Sequence, residues 1–196
     1  MKISPVIAHL REHCPSLHQR VTGGIDLDAV SESVLLKNPS AYVIAADDKA
    51  SENQAENAVI QDVEDRFEVV LVMDTKDERG QQAVDLLHDF RKELWRALVG
   101  WRPGADYDPI VYDGGGLVLI NRARVVYRFS FSTAFQLGRN ASTDPPETWH
   151  EYELDGLPLF TGATINMDCI DPADPNLQYP GPDGRIEATF SGDVAP

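Results

Sequence analysis

Between Arg124 and Leu137 the chain alternates: Val125, Tyr127, Phe129, Phe131, Thr133 and Phe135 are interleaved with Val126, Arg128, Ser130, Ser132 and Ala134. Successive side chains of a β-strand point to opposite faces, so this period of two predicts a long strand with one largely aromatic face. Such a face has to be buried, which excludes an all-helical fold and requires a sheet with a layer packed on it. Phe67-Glu68-Val69-Val70-Leu71-Val72-Met73 is nearly continuous in apolar residues and reads as a central strand covered on both faces over part of its length. Ala41–Ala45 reads as a further strand, followed by an exposed polar loop over Ala46–Ala58.

The period changes after Gly80. Ala83, Leu86, Leu87, Phe90, Leu94, Ala97 and Leu98 fall in one sector at 100° per residue, and Gly100 stands where a helix would stop, so the layer over the sheet is an amphipathic helix. A second, shorter helix starts at Ser4-Pro5, a residue suited to the N-cap followed by one suited to the first helical position. It carries Ile3, Val6, Ile7, Leu10 and Cys14 at helical spacing and ends before Pro15. The stretch Arg20–Asn38 suits short strands or turns. Beyond Arg102-Pro103-Gly104, the segments Ile110–Tyr112 and Leu117–Ile120 read as two strands joined by a Gly114-Gly115-Gly116 hairpin turn, with another turn at Asn121-Arg122. The predicted class is α+β: a mainly antiparallel sheet with two helices packed on one face, in the order α-β-β-α-β-β, plus an acidic, loop-rich C-terminal extension.

Charge marks where that extension begins. The 196 residues hold 17 Lys+Arg and 32 Asp+Glu, a net charge of −15. Residues 1–139 hold 16 basic and 21 acidic residues, whereas 140–196 hold one basic residue, Arg185, against 11 acidic ones. The division is therefore expected between a core domain, 1–139, and an acidic Pro/Gly-rich arm, 140–196. Phosphate contact depends on Lys and Arg, so a negative chain without a basic block is a poor nucleic-acid binder. No apolar run reaches the ~18 residues of a membrane span, and His, Arg and Glu interrupt the N-terminal apolar residues too soon for a signal peptide, so cytoplasmic synthesis without membrane insertion is expected.

Several patterns resemble chemical motifs without completing one. His9-x-x-Glu12-His13 has the spacing of an inverted zinc-protease motif, but Pro15 cuts the helix at once, and surface histidines flanking an apolar stripe are the expected reading. Asp168, Asp171, Asp174 and Asp183 lack the spacing of an EF-hand loop and read as solvated turns. The glycine run precedes a strand rather than a helix and has no Lys-Ser/Thr, unlike a phosphate-binding loop. Cys14 and Cys169 form neither a metal knuckle nor a disulfide framework, and there is no G-x-S-x-G elbow. No catalytic residue, metal or cofactor is expected. Trp95 and Val99 lie off the apolar sector of their helix, among His88, Lys92 and Arg96. Trp95 either folds back over a loop or contacts another subunit, and the helical wheel leaves both open.

Five strings together carry a resemblance: Asn38-Pro39-Ser40-Ala41-Tyr42-Val43-Ile44, Gln61–Met73, Leu94–Trp101 with Pro103 following, Tyr112-Asp113-Gly114-Gly115, and Tyr127-Arg128-Phe129. Over residues 38–135 the chain resembles the tail terminator proteins of tailed bacteriophages, also described as minor tail or tail completion proteins. Pro180-Gly181-Pro182-Asp183-Gly184-Arg185-Ile186-Glu187 looks like members with a C-terminal extension. The resemblance implies a virion structural protein assembled in the host cytoplasm. It implies a hexameric homo-oligomeric ring at the head-proximal end of the tail, which caps the tail tube, stops its polymerisation and offers a surface to the neck or head-completion protein. DNA would pass through the ring unbound, since an acidic lining repels it. Trp95, Val99 and Trp101 are the expected interface residues, and the arm from Asn140 onward is expected to wrap a neighbouring subunit at an ordering cost. The alternatives are a neck or head–tail connector of the same build, and a metal-dependent hydrolase using His9, Glu12 and His13.

Overall fold

The computed structural model describes residues 1–24, 39–74, 81–120, 124–158, 160–167, 186 and 188–193. In chain order the elements are α1 (Ile3–His13), a 3-10 turn (Pro15–Leu17), β1 (Val21–Gly24), β2 (Ser40–Ala50), β3 (Gln61–Asp74), α2 (Gln81–Leu98), β4 (Val111–Ile120), β5 (Arg124–Leu137), α3 (Trp149–Asp155), β6 (Gly162–Met167) and β7 (Ala188–Asp193). They divide into two compact units, Met1–Tyr152 and Glu153–Pro196. The change in charge at 139/140 thus precedes the change in packing. Residues just after it are held to the first unit by Glu151, whose carboxylate accepts the backbone N–H of Arg139 at 2.8 Å.

The first unit is α+β, with a five-stranded sheet in the order β1-β2-β3-β5-β4. β1 runs parallel to β2 and every other pair is antiparallel, so the sheet is mixed. The run Phe67–Met73 lies in β3, the middle strand, which pairs with β5 without interruption from Gln61↔Leu137 to Asp74↔Arg124. Alternation then sorts the side chains. One face carries Val43, Phe67, Val69, Leu71, Phe129 and Phe131 into the main core, where α1 contributes Val6 and Leu10 and α2 contributes Phe90, Leu94, Ala97 and Leu98. Fully burying a side chain of this kind stabilises the fold by about 1.5–3 kcal/mol before conformational entropy is charged against it. The opposite face holds a smaller buried cluster, Ile44, Val70, Val72 and Val126, and is polar beyond it, with Arg128 paired to Glu68 at 3.3 Å.

Several expectations are corrected. Gly114-Gly115-Gly116 is not a hairpin turn, because the two short strands predicted around it are one strand, β4, paired to β5 with register shifts at Tyr112/Gly114 and Leu117/Leu119. Of the three glycines Gly115 serves close packing: a Cβ there would lie 2.8 Å from the Tyr127 ring and 2.9 Å from the Tyr112 hydroxyl. The polar stretch from Ala46 is not all loop, because β2 continues to Ala50 past a bulge, pairing Asp48, Lys49 and Ala50 with Asp65, Glu64 and Val63. Backbone ladder bonds form there whatever the side-chain polarity. α1 begins at Ile3 with Lys2 at the N-cap, so Ser4 does not cap it and Pro5 sits inside the first turn, where its missing N–H costs no helical bond. Leu86, placed in the core sector by the wheel, is 50% exposed and lines a cleft of about 570 Å³ with Pro15, Met73 and Phe90. There are three helices rather than two among the described residues. The turn at Asn121-Arg122, most of Arg20–Asn38 and the side chain of Ala83 lie outside the described residues.

The second unit contains the antiparallel β6–β7 hairpin, paired from Gly162↔Asp193 to Met167↔Ala188.

Candidate assembly surface

The surface with the most unusual chemistry lies where α2 meets the edge of the sheet. Leu94 and Leu98 turn one face of α2 into the core, so Trp95 projects to the flank, beside β4. Its indole meets the Tyr112 ring edge-on, with centroids 5.2 Å apart, and the Arg91 guanidinium lies 5.2 Å above the indole. Arg91 is held in turn by His88, whose Nδ1 lies 2.8 Å from the guanidinium. Trp95 therefore folds back on β4 and still leaves 37% of its surface exposed. Val99 follows one turn later and is also exposed. The chain then turns directly towards β4, with the Gly100 N–H donating to the Ile110 carbonyl at 2.9 Å.

β4 carries this exposed apolar surface onward. Among the described residues it pairs with β5 on one side and is the last strand of the sheet. Leu117 and Ile120 stand on the helix face, opposite Tyr127 and Val125, while Leu119 stands on the other face opposite Val126, and all three are exposed. A long edge strand with large apolar side chains and a free row of backbone donors and acceptors is prone to pair with another chain. Neither this row nor its merger with the Trp95 flank was anticipated, because the glycine run had split β4 in two.

Trp101 is placed differently from Trp95 and Val99. It is half-buried, and its indole stacks on the His9 imidazole at 4.0 Å and 8°, while His13 stacks on the other face of His9 at 4.1 Å. His9 Nε2 lies 2.9 Å from the Ala97 carbonyl, in the last turn of α2, and His13 Nδ1 lies 3.0 Å from the His9 carbonyl. Burial holds the His9 pKa below its ordinary value. Imidazole lone pairs lie in the ring plane, so two rings stacked face to face do not aim at a common ion. His9 joins α1 to the end of α2, with His13 stacked behind it, and no group of three metal-ligating side chains gathers among the described residues. Asp168, Asp171, Asp174, Asp183 and Cys169 lie outside the described residues. Cys14 is buried, and desolvation together with nearby Glu93 pushes its thiol up to about 12, which leaves it neutral and inert. No helix of the described residues is long and apolar enough to cross a membrane.

No curated protein matches the chain. Among solved structures it is similar to a chain from the virion of a native gene transfer agent particle, with a TM-score of 0.42 and 13% identity, covering 67% of this chain and 91% of that one. A family model described as phage tail terminator protein matches residues 1–143, which extends beyond both ends of the strings that carried the resemblance and takes in α1 and the whole five-stranded sheet. The chain belongs to the phage tail terminator family, a family of structural proteins of the phage tail.

Proposed function

We propose that this protein terminates tail assembly by forming a closed, hexameric ring on the last ring of the tail tube. One face of such a ring complements the tube, while the other lacks what a further tube subunit needs and receives the neck or head-completion protein. The protein would then sit at the head-proximal end of the tail after assembly in the host cytoplasm, and DNA would pass through without specific contact. The action is steric and thermodynamic and requires no catalytic group. The family match over residues 1–143 carries this reading. A sheet with an unpaired apolar edge supports it, because a cyclic ring repeats one heterologous contact until it closes.

Within that reading Trp95, Val99 and Trp101 form part of the subunit interface. Trp95 and Val99 supply exposed apolar surface, and Trp101 fixes the corner from which they project through its stack on His9. The segment after residue 139 acts as an arm towards a neighbouring subunit. Replacing Trp95 by Ala is expected to abolish ring formation and tail joining while leaving the fold intact, and unchanged rings would remove Trp95 from the interface.

The test of function is negative-stain electron microscopy of particles made with this gene stopped early. Tails of uncontrolled length, unattached to filled heads, are the expected result. Tails of normal length beside unattached heads would reassign the protein as a neck connector, and wholly normal particles would overturn both structural roles.

A further inference from the structure

The β6–β7 hairpin has two unlike faces. Its register pairs Ile165 with Phe190, Met167 with Ala188 and Ala163 with Gly192, so these six residues share one face. The other face carries Thr164, Asn166, Thr189 and Ser191, which bond across the strands: Thr164 Oγ1 lies 3.2 Å from Ser191 Oγ, and the Thr189 hydroxyl donates to Asn166 Oδ1 at 3.1 Å. The polar face is thus satisfied within the hairpin, whereas Ile165 and Phe190 on the apolar face are each 60% exposed. A lone two-stranded hairpin is marginal in water and needs a further strand or a packed apolar face.

β4 has the complementary need. Around this edge Trp95, Tyr112, Leu117 and Ile120 lie on the helix side, while the other side of β4 carries Val111, Gly114, Gly116 and Leu119, with Ser130, Ser132 and Arg128 behind them on β5. A hairpin strand laid along β4 in the sheet plane would continue the helix-side face, apolar beside apolar, and would satisfy the backbone row that β4 leaves free among the described residues. Charge points the same way. Residues 91–139, which contain the last two turns of α2 with β4 and β5, hold eight Lys+Arg against four Asp+Glu, whereas the second unit, residues 153–196, holds one against eight. Such a contact would bring the most acidic part of one copy to the most basic part of another.

We infer that the β6–β7 hairpin of one copy adds to the free β4 edge of a second copy, with Phe190 and Ile165 against the strip that runs from Trp95 to Ile120. This rests on the self-assembly proposed above and names the surfaces that make it. The contact joins two different patches, so it repeats head to tail, the kind of contact from which a closed ring is built.

The test uses the full chain with the photoreactive analogue p-benzoylphenylalanine at position 190. This unlabelled variant is mixed with an excess of uniformly 15N-labelled wild-type chain and irradiated. The expected product joins the light chain at position 190 to a heavy peptide containing Val111–Ile120. Cross-links confined to single chains, or between chains but elsewhere, would overturn the inference. In parallel, Phe190→Asp is expected to weaken self-association about tenfold or more with the melting temperature unchanged, since the residue is exposed. Undiminished assembly of that variant would overturn the inference, as would a chain that stays monomeric at every concentration. Rings joined through other surfaces refute the hairpin contact and leave tail termination standing. Normal tails after the early stop refute termination itself.

Discussion

Single residues at the end of β5 hold the first unit closed. Gly138 has φ +103°, and a Cβ there would lie 2.1 Å from the Val59 carbonyl oxygen, a backbone atom that cannot swing aside. Gly138→Ala is therefore expected to cost about 1–3 kcal/mol, read as a lowered denaturation midpoint. Gly116→Ala, in β4 with nothing within 4 Å of the added carbon, serves as the mild control. Glu151 gathers three backbone N–H groups, from Arg139, Glu147 and Thr148, at 2.8–3.0 Å. These bonds, that from Arg139 foremost, lower its pKa to about 2. A carboxylate depressed in the folded state contributes stability that is present above its ordinary range, near pH 4.5, and is lost as the pH falls towards 2. Melting curves from pH 2 to 6 should show the gap between wild type and Glu151→Gln widest above pH 5 and closing near pH 2. The Thr148-x-x-Glu151 spacing is that of a capping box at the start of α3, but nothing in the sequence links Glu151 to Arg139. Only the fold brings the Arg139 backbone to it.

Among the elements, α2 and β5 were readable and β4 was not. Phe90, Leu94, Ala97 and Leu98 are buried as a period of 3.6 requires, and Phe129 and Phe131 are buried as a period of two requires. Each is a local periodicity enforced by one dominant packing partner. β4 carries glycines that read as a turn, but its conformation is set by hydrogen bonds to β5 and by the Tyr127 and Tyr112 side chains above Gly115. The α1–α2 junction was likewise hidden, because His9, Ala97 and Trp101 meet only after the sheet has brought the two helices together. It gives a prediction at this scale. Burial lowers the His9 pKa, so the unfolded chain binds the extra proton more readily. The junction's stability is then complete above the ordinary histidine value of 6.5 and declines as the pH drops below it. Trp101 fluorescence should change over that acidic limb, and His9→Phe, which keeps a ring on the indole, should flatten the change.

At the scale of the whole molecule, residues Met1–Tyr152 form a compact unit with their own core. A chain ending at Tyr152 is therefore expected to keep its cooperative unfolding and its melting temperature to within a few degrees, while losing the assembly that the hairpin supplies. Loss of cooperativity would show that the later residues belong to the folding unit. The contrast between an acidic tail and a basic α2–β5 region also predicts that self-association weakens as salt rises from about 0.05 to 0.5 M, because the Debye length shrinks below the spacing of exposed charges. Sedimentation across that range checks it, and a salt-independent association would assign the contact to apolar burial alone.

The sequence by itself determined the α+β class, the central strand, the principal helix and, through five short strings, the family. These depend on periodicity and local composition, which each segment carries whatever its neighbours do. The tertiary structure decided the parallel strand β1 beside β2, the unbroken edge strand β4, the fold of Trp95 onto Tyr112 and the stack that ties His9 to Trp101. Each of these depends on which distant residues arrive at the same place, and hydrogen-bond pairing and ring packing between remote segments leave no period in the chain.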